Sequence, residues 1–378
     1  MKKVLIGHQS TIPHYRVPFY NVLERNRPQN WCFEVIVDPS ELASPRFYRE
    51  GTKMEDFRFP IHAVKTYSRR ILKKMVSYQT FWWDASKYDL VIVENAVNNL
   101  AYPLCQLHQL HGTKIAFWGH GRDLHTIRRS LFKSISESFK LIQVRWGDGF
   151  FAYTQGVKEY LENLDVPSEK IFVVNNTIDI SEQRKAFEHW SKEREETRKK
   201  YGLTGKKVLL FVGRFTSDKR IDYLLKAFSI LSKIGDDFRL ILVGNGESGI
   251  DLEQSNILHP GSIIELEKLA PIYTASDLFV YPGAVGLGPL QALCYDLPVV
   301  TIESPNHKPE VEYLKSTNSI VLDNSTNPED YAGIILELFK DKNRLNALKS
   351  GCWPSIRHLT IDQMADNFIF GINKILGY

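Results

Sequence analysis

Short apolar runs alternate with longer amphipathic or charged stretches along the whole chain. In the first half the pattern predicts strands at 3–6, 33–37, 90–93, 115–118, 149–153 and 172–174. In the second half it predicts them at 208–212, 240–243, 257–259, 278–281, 299–302 and 320–322. Strands separated by helical segments imply βαβ units and parallel sheets. The opening KKVLIG (2–7) is echoed by KKVLLFVG (206–213), as if a second Rossmann-like domain began there. The expected fold class is therefore α/β, with two Rossmann-like domains.

The densely charged stretch 182–205 ends in glycine and reads as a linker leading into a helix, which places a boundary at 185/186. Near the C-terminus, Ile361, Met364, Phe368, Ile372 and Ile375 recur at helical spacing. That apolar face has no partner nearby in sequence, so a closing helix is expected to pack back across a domain seam. The expected division is 1–185, 186–359 and 360–378.

After the strand 208–212, residues 219–234 form an amphipathic helix pattern with Ile221, Leu224, Leu225, Phe228, Leu231 and Ile234 on one stripe. Ser217 or Asp218 is placed to cap it. Arg214, Lys219 and Arg220 crowd its start, where the helix dipole disfavours cations unless an anion compensates. Two readings stand: a phosphate site, or a solvated cluster neutralised by Asp218 and Asp222. A second constellation, YPGAVGLGPLQALCYDLPVV (281–300), puts Gly283, Gly286 and Gly288 between a strand and a short helix. Glycines there let an anion approach backbone amides, or serve only close packing. Gln291, one turn further, could bond a ribose or sugar hydroxyl.

GNGESG (244–249) matches a dinucleotide fingerprint, but the next strand ends in Pro260 rather than an acid suited to a ribose. A nicotinamide-dependent oxidoreductase rests on that pattern alone. The pairs His108/His111 and His120/His125 lack a third ligand at metal spacing, and the chain contains no D-x-D. No metal and no resident cofactor are expected.

Length and composition add bounds. The 378 residues suggest two to three domains, and 43% hydrophobic with 24% charged residues excludes wholesale disorder. Cys32, Cys105, Cys294 and Cys352 lie far apart, which fits a reducing compartment. Neither a secretory leader nor a transmembrane run stands out, so a cytoplasmic protein is expected. Residues 1–180 carry 24 basic and 18 acidic side chains, and the stretch 57–83 has six cations, seven Phe, Tyr or Trp residues and no acid. That stretch suits peripheral contact with anionic lipid, or is a solvated loop with Trp82 and Trp83 buried. Nucleic-acid binding is disfavoured because no recognition motif accompanies the modest charge.

The second half resembles the donor domain of the retaining glycosyltransferases of family four, which have the GT-B fold. The resemblance rests on VGRFTSDKRIDYLLKAF (212–228), LILVGNGE (240–247), PGSIIELEKLAPIYTASDLFVYPG (260–283) and PEVEYLKSTNSIVL (309–322), in family order. It implies two domains around a central cleft and a nucleotide-sugar donor, with UDP-sugars favoured over GDP-sugars. It implies that Arg214 and Lys219 grip the donor diphosphate, and that Gly283, Val285, Gly286 and Leu287 present backbone amides to it. Gln291 stands where the family has the second Glu of its E-x7-E motif, Glu310 matches a family acid, and Gly244 and Gly261 fall in matched donor segments. In FWGHGR (117–122), His120 resembles the family's active-site histidine, with Arg122, His14 and Arg16 expected towards the acceptor. The acceptor implied is a glycan or a polyprenyl-diphosphate-linked glycan of surface polysaccharide biosynthesis. Gly283 stands where the motif's first Glu belongs, and Arg220 replaces the usual glycine after the lysine. With both carboxylates missing, a non-catalytic nucleotide-sugar-binding protein is the alternative.

Overall fold

The computed structural model describes all residues except 9–11, 43–53, 72–73, 97, 122–130 and 247–254. It divides into one unit formed by Met1–Ile178 with Leu359–Tyr378, and a second formed by Asp179–His358. The first crossing precedes the expected 185/186 because the helix Ile180–Trp190 packs on the helices Leu266–Ala275 and Gly288–Cys294 of the second unit.

The first unit is built on β1 (Lys2–Gly7), β2 (Trp31–Val37), β3 (Ile61–Ala63) and, beyond a separate hairpin of β4 (Thr66–Ile71) and β5 (Lys74–Gln79), on β6 (Leu90–Glu94), β7 (Lys114–Gly119), β8 (Gly149–Ala152) and β9 (Ile171–Val173). The order β3-β2-β1-β6-β7-β8-β9 is parallel throughout. Both faces of such a sheet are covered, so its central strands are nearly continuous apolar runs, as LVIV in β6 shows. One face carries Val4, Ile6, Trp118 and Phe151 against Met364, Phe368 and Ile372. The other carries Leu5, Val91, Val93 and Phe117 against Phe81 and Leu161.

Those last apolar positions belong to the helix Ile361–Leu376, capped by Thr360, whose side chain accepts from the Gln363 amide. The Phe368 ring stacks on Phe151 at 4.3 Å and meets Trp118 edge-on at 5.0 Å. The chain thus returns from the second unit to complete the first unit's core, as the helical periodicity predicts.

The second unit holds β10 (Lys207–Val212), β11 (Phe238–Val243), β12 (Ile257–Gly261), β13 (Leu278–Tyr281), β14 (Val299–Ile302) and β15 (Ser319–Leu322). Its parallel order is β12-β11-β10-β13-β14-β15. Every strand predicted from the sequence is present. The basic, aromatic stretch is not a loop: it supplies β3, the hairpin and a 3₁₀ segment, Thr80–Lys87.

Candidate functional site

In an open parallel sheet, ligands bind beyond the carboxyl ends of the strands where the order reverses. In the second unit that point lies between β10 and β13, because the chain runs outward from β10 to β12 and restarts at β13 on the other side. The two loops that leave it are 213–220 and 282–287, the two segments that hold the candidate cations and glycines.

The first loop differs from the helix start expected. The helix runs Ile221–Ile234, preceded by a 3₁₀ turn Ser217–Lys219 and by Arg220 in the left-handed region at φ 55°. Lys219 and Arg220 therefore lie before the helix rather than in its first turn. No side chain caps the helix; Asp218 instead accepts from Thr216 Oγ1 at 2.5 Å. Burial raises the Asp218 pKa, but the Thr216 hydrogen bond and Lys219 outweigh it and hold the carboxyl below its ordinary value. Arg214 is exposed; its carbonyl accepts from the Thr216 amide at 3.0 Å, and its guanidinium makes no hydrogen bond or ion pair among the described residues. Lys219 Nζ donates to the Ala284 carbonyl at 2.6 Å and pairs with Asp218 at 3.2 Å. Arg220 turns over the Tyr223 ring at 4.2 Å and, with Phe215, Thr216 and Ser217 of the same loop, lines an open cavity of about 810 Å³ that Asn324 and Pro328 also border.

The second loop is pressed against the first. A Cβ at Gly283 would lie 2.5 Å from the Lys219 backbone and 2.4 Å from the Asp218 carbonyl oxygen. The Ala284 amide donates to that same carbonyl at 2.8 Å. On the other side, the Val285 amide donates to His307 Nδ1 at 2.9 Å, and the Lys308 amide donates to the Val285 carbonyl at 2.8 Å. His307 Nε2 donates to the Ile302 carbonyl at 3.0 Å. The two bonds fix a neutral imidazole with its proton on Nε2. Burial depresses the His307 pKa, and the Lys219 charge adds to the depression.

Val285 thus spends its amide on His307 instead of presenting it to a ligand. The amides of Gly286 and Leu287 make no backbone hydrogen bond among the described residues, and Gly288 opens the helix Gly288–Cys294. These amides and Arg214, with Lys219 bracing the turn, form an anion-compatible edge. Gln291 Nε2 donates to Gln183 Oε1 at 3.0 Å, which also accepts from the Tyr295 hydroxyl. Glu310 is buried in the 3₁₀ segment Pro309–Tyr313. Gly244, at φ 140°, allows the two loops after β10 and β11 to touch: a Cβ there would meet the Gly213 carbonyl oxygen at 1.9 Å. Its amide donates to Gly261, itself at φ 81°. GNGESG is a packing turn as far as it is described, to Gly246.

The first unit has its own switch point between β1 and β6. His8, just past β1, is buried, with Nδ1 2.9 Å from Glu94 Oε1 and Nε2 against the Tyr20 hydroxyl. Asn95 follows Glu94, and both of its side-chain amide atoms are buried without a hydrogen-bond partner among the described residues. His120, past the end of β7, is half-buried edge-on to Tyr153 at 4.6 Å. His14 is exposed beside Tyr15. Arg16 is not displayed for a ligand: at 3% exposure it donates to Asn176 Oδ1 at 2.7 Å and lies 4.9 Å over Trp118. Arg122 and His125 lie outside the described residues. Among those described, no group of three His, Cys, Asp or Glu side chains could hold a metal.

Residues 193–351 match the family model of glycosyl transferases group 1, and residues 35–182 match that of Glycosyltransferase Family 4. Anabaena HepE in complex with UDP superposes with a TM-score of 0.70 at 13% identity, over 98% of this chain and 99% of that one. The chain is related to the glycosyltransferases of the GT-B fold. D-inositol 3-phosphate glycosyltransferase of Thermobispora bispora is 27% identical over 53% of this chain and 49% of that protein. The chain spans about half the length of the curated relatives it matches. A glycosyltransferase of Rickettsia africae has the same fold, with a TM-score of 0.67 at 16% identity over 99% of both chains.

The two departures from the resembled motif lie in the two loops that touch each other. The backbone of Lys219 occupies the space that a side chain at position 283 would need, so the motif's first Glu cannot be accommodated there without moving the 217–220 turn. Arg220 occupies the left-handed position where the family has glycine, a conformation that costs a non-glycine residue about 1–2 kcal/mol. Sequence reasoning missed His307, although it lies three residues before the matched Glu310 and is the one imidazole in that loop. It also missed Glu94 and Asn95, whose only signal was a polar pair directly after an apolar strand.

Proposed function

We propose that the chain is a glycosyltransferase that moves a sugar, with retention and without a metal, from a nucleoside-diphosphate sugar to a glycan or polyprenyl-diphosphate-linked glycan. UDP-sugars are the favoured donors. The observation that carries the reading is the β10/β13 switch point, where the loop bearing Arg214 and Lys219 is pressed against the loop bearing the amides after Val285. A departing diphosphate develops negative charge as the sugar–phosphate bond breaks. Fixed cations and amides stabilise that charge without reorganising, the work a metal does elsewhere. HepE, of the same fold, is seen in complex with UDP and with UDP-glucose, which supports the choice of base. The acceptor hydroxyl would attack from the face the diphosphate leaves, passing its proton to that diphosphate. His120 and Asn95 are the side chains proposed to orient the acceptor; the orphaned amide of Asn95 matches hydroxyls, which both donate and accept. The glycan made would serve surface polysaccharide biosynthesis, on the cytoplasmic side.

Thermal unfolding with UDP, GDP and NAD, each with and without EDTA, tests the donor. A ligand at ~100 times its Kd adds ~2.7 kcal/mol, a shift of several degrees. We expect an EDTA-insensitive shift with UDP that Arg214→Ala and Lys219→Ala each diminish. A shift with NAD alone, or with no nucleotide, would overturn the assignment. Release of UDP from a UDP-sugar only when an acceptor is present then separates a transferase from a non-catalytic binder.

A further inference from the structure

The first unit carries a contiguous exposed apolar ridge. The 3₁₀ segment Gln106–His111 exposes Leu107 and Leu110, the latter to 85%. The helix Leu131–Trp146 exposes Phe139, Ile142 and, to 73%, Trp146. Their spacing of three and then four residues puts all three on one helical face. Trp83, in the segment Thr80–Lys87, is 65% exposed and lies 3.8 Å from the Trp82 ring.

Hydrogen bonds tie these pieces into one surface. His108 Nε2 donates to the Trp82 carbonyl at 2.9 Å, and Gln109 Nε2 donates to the Trp146 carbonyl at 3.0 Å. Trp82 Nε1 donates to the Tyr78 hydroxyl at 2.5 Å, joining the ridge to the β4–β5 hairpin. On that hairpin Tyr67 faces Tyr78, and Arg69 follows Tyr67 on the same side by the two-residue alternation of a strand. Lys65, Arg69 and Arg70 are exposed and have no ion-pair partner among the described residues.

We propose that this face docks on an anionic lipid bilayer, with the tryptophan and leucine side chains in the headgroup region and the hairpin cations on lipid phosphates. It extends the lipid-linked-acceptor reading above but stands on its own geometry. The hairpin cations select the occupant. A second copy would meet this face through a twofold axis, bringing the patch onto itself and its Lys65 and Arg69 towards the same cations of the other copy. A bilayer offers an apolar layer beneath a negative one, and amphipathic Trp and Tyr rings partition to that boundary. No helix among the described residues is long and apolar enough to cross a membrane, so the contact is peripheral.

Sedimentation of the full chain with extruded vesicles tests this, using phosphatidylcholine alone and phosphatidylcholine mixed with phosphatidylglycerol. We expect binding to the mixed vesicles only, weakening as salt rises. Leu110→Glu with Trp146→Glu, and separately Lys65→Gln with Arg69→Gln, should each reduce it at least tenfold, which is about 1.4 kcal/mol. Both variants should keep the parent's unfolding midpoint and its UDP-induced shift. Absence of vesicle binding in the parent overturns the proposal, as does binding by either variant that equals the parent's. So does a concentration-dependent dimer that Leu110→Glu with Trp146→Glu converts to monomer, since the occupant is then a second copy. A parent that binds vesicles but shows no UDP shift defeats the donor assignment and leaves this one standing.

Discussion

At position 283 a missing side chain is a packing requirement. The Asp218 carbonyl and Lys219 backbone stand where a Cβ would go, and the strap they form holds the donor turn. Gly283→Ala should therefore cost about 1–3 kcal/mol as an overpacked site, and Gly283→Glu should be no better despite matching the family motif. Denaturant unfolding of both variants measures this; a stable Gly283→Glu with tighter UDP binding would show that the strap yields. On the opposite side of the turn, His307 can hold the Val285 amide only while neutral. Its pKa in the folded chain lies below the ordinary value of 6.5, so the unfolded chain takes up the proton first as pH falls. Stability from this group is complete above about pH 6.5 and declines below it. UDP affinity should fall in the same direction, once the folded imidazole itself is protonated and the turn is released. Measured between about pH 5 and 8, both trends should flatten in His307→Asn, which retains an acceptor but does not titrate.

At the scale of elements, the C-terminal helix is the largest single debt of the first unit to distant sequence. Phe368 fills the space between Phe19, Trp118 and Phe151, and Phe368→Ala should destabilise by about 3–5 kcal/mol, read as a fall in the denaturant midpoint with an unchanged slope. This helix was legible because its apolar spacing is strict from Ile361 to Ile375. Buried parallel strands such as Lys207–Val212 were legible for a related reason: with both faces covered, they read as unbroken apolar runs. The hairpin was not. TYSRRI and KMVSYQ are half polar, and their pairing is fixed by register rather than by an apolar pattern. Within the donor site the residue types were legible, but not their conformations. The close approach of the 217–220 turn and the consumed Val285 amide depend on Gly283 and His307, far away in sequence. Arg16 shows the same limit, since its partners Asn176 and Met364 lie 160 and 348 positions away.

The whole molecule is topologically unequal. Its second unit is one uninterrupted stretch, Asp179–His358, whereas the first needs Leu359–Tyr378 from the far end of the chain. All the proposed donor contacts, from Arg214 to Glu310, lie inside the uninterrupted unit. That unit also ties down its own N-terminal helices: Arg184 donates to Asp296 at 2.9 Å, and Arg194 and Arg198, on the following helix Arg194–Lys200, both reach Asp277. A fragment of residues 179–358 should therefore unfold cooperatively and gain stability from UDP. A fragment of residues 1–178 lacks the side chains that cover Trp118, Phe151 and Phe172, and so should fail to fold cooperatively until a peptide of residues 359–378 is supplied. Circular dichroism and thermal unfolding of the two fragments read both outcomes. If the 179–358 fragment folds but ignores UDP while the full chain responds, the nucleotide contacts must come in part from the other unit, and the electrostatic account built on Arg214 and Lys219 would be insufficient on its own.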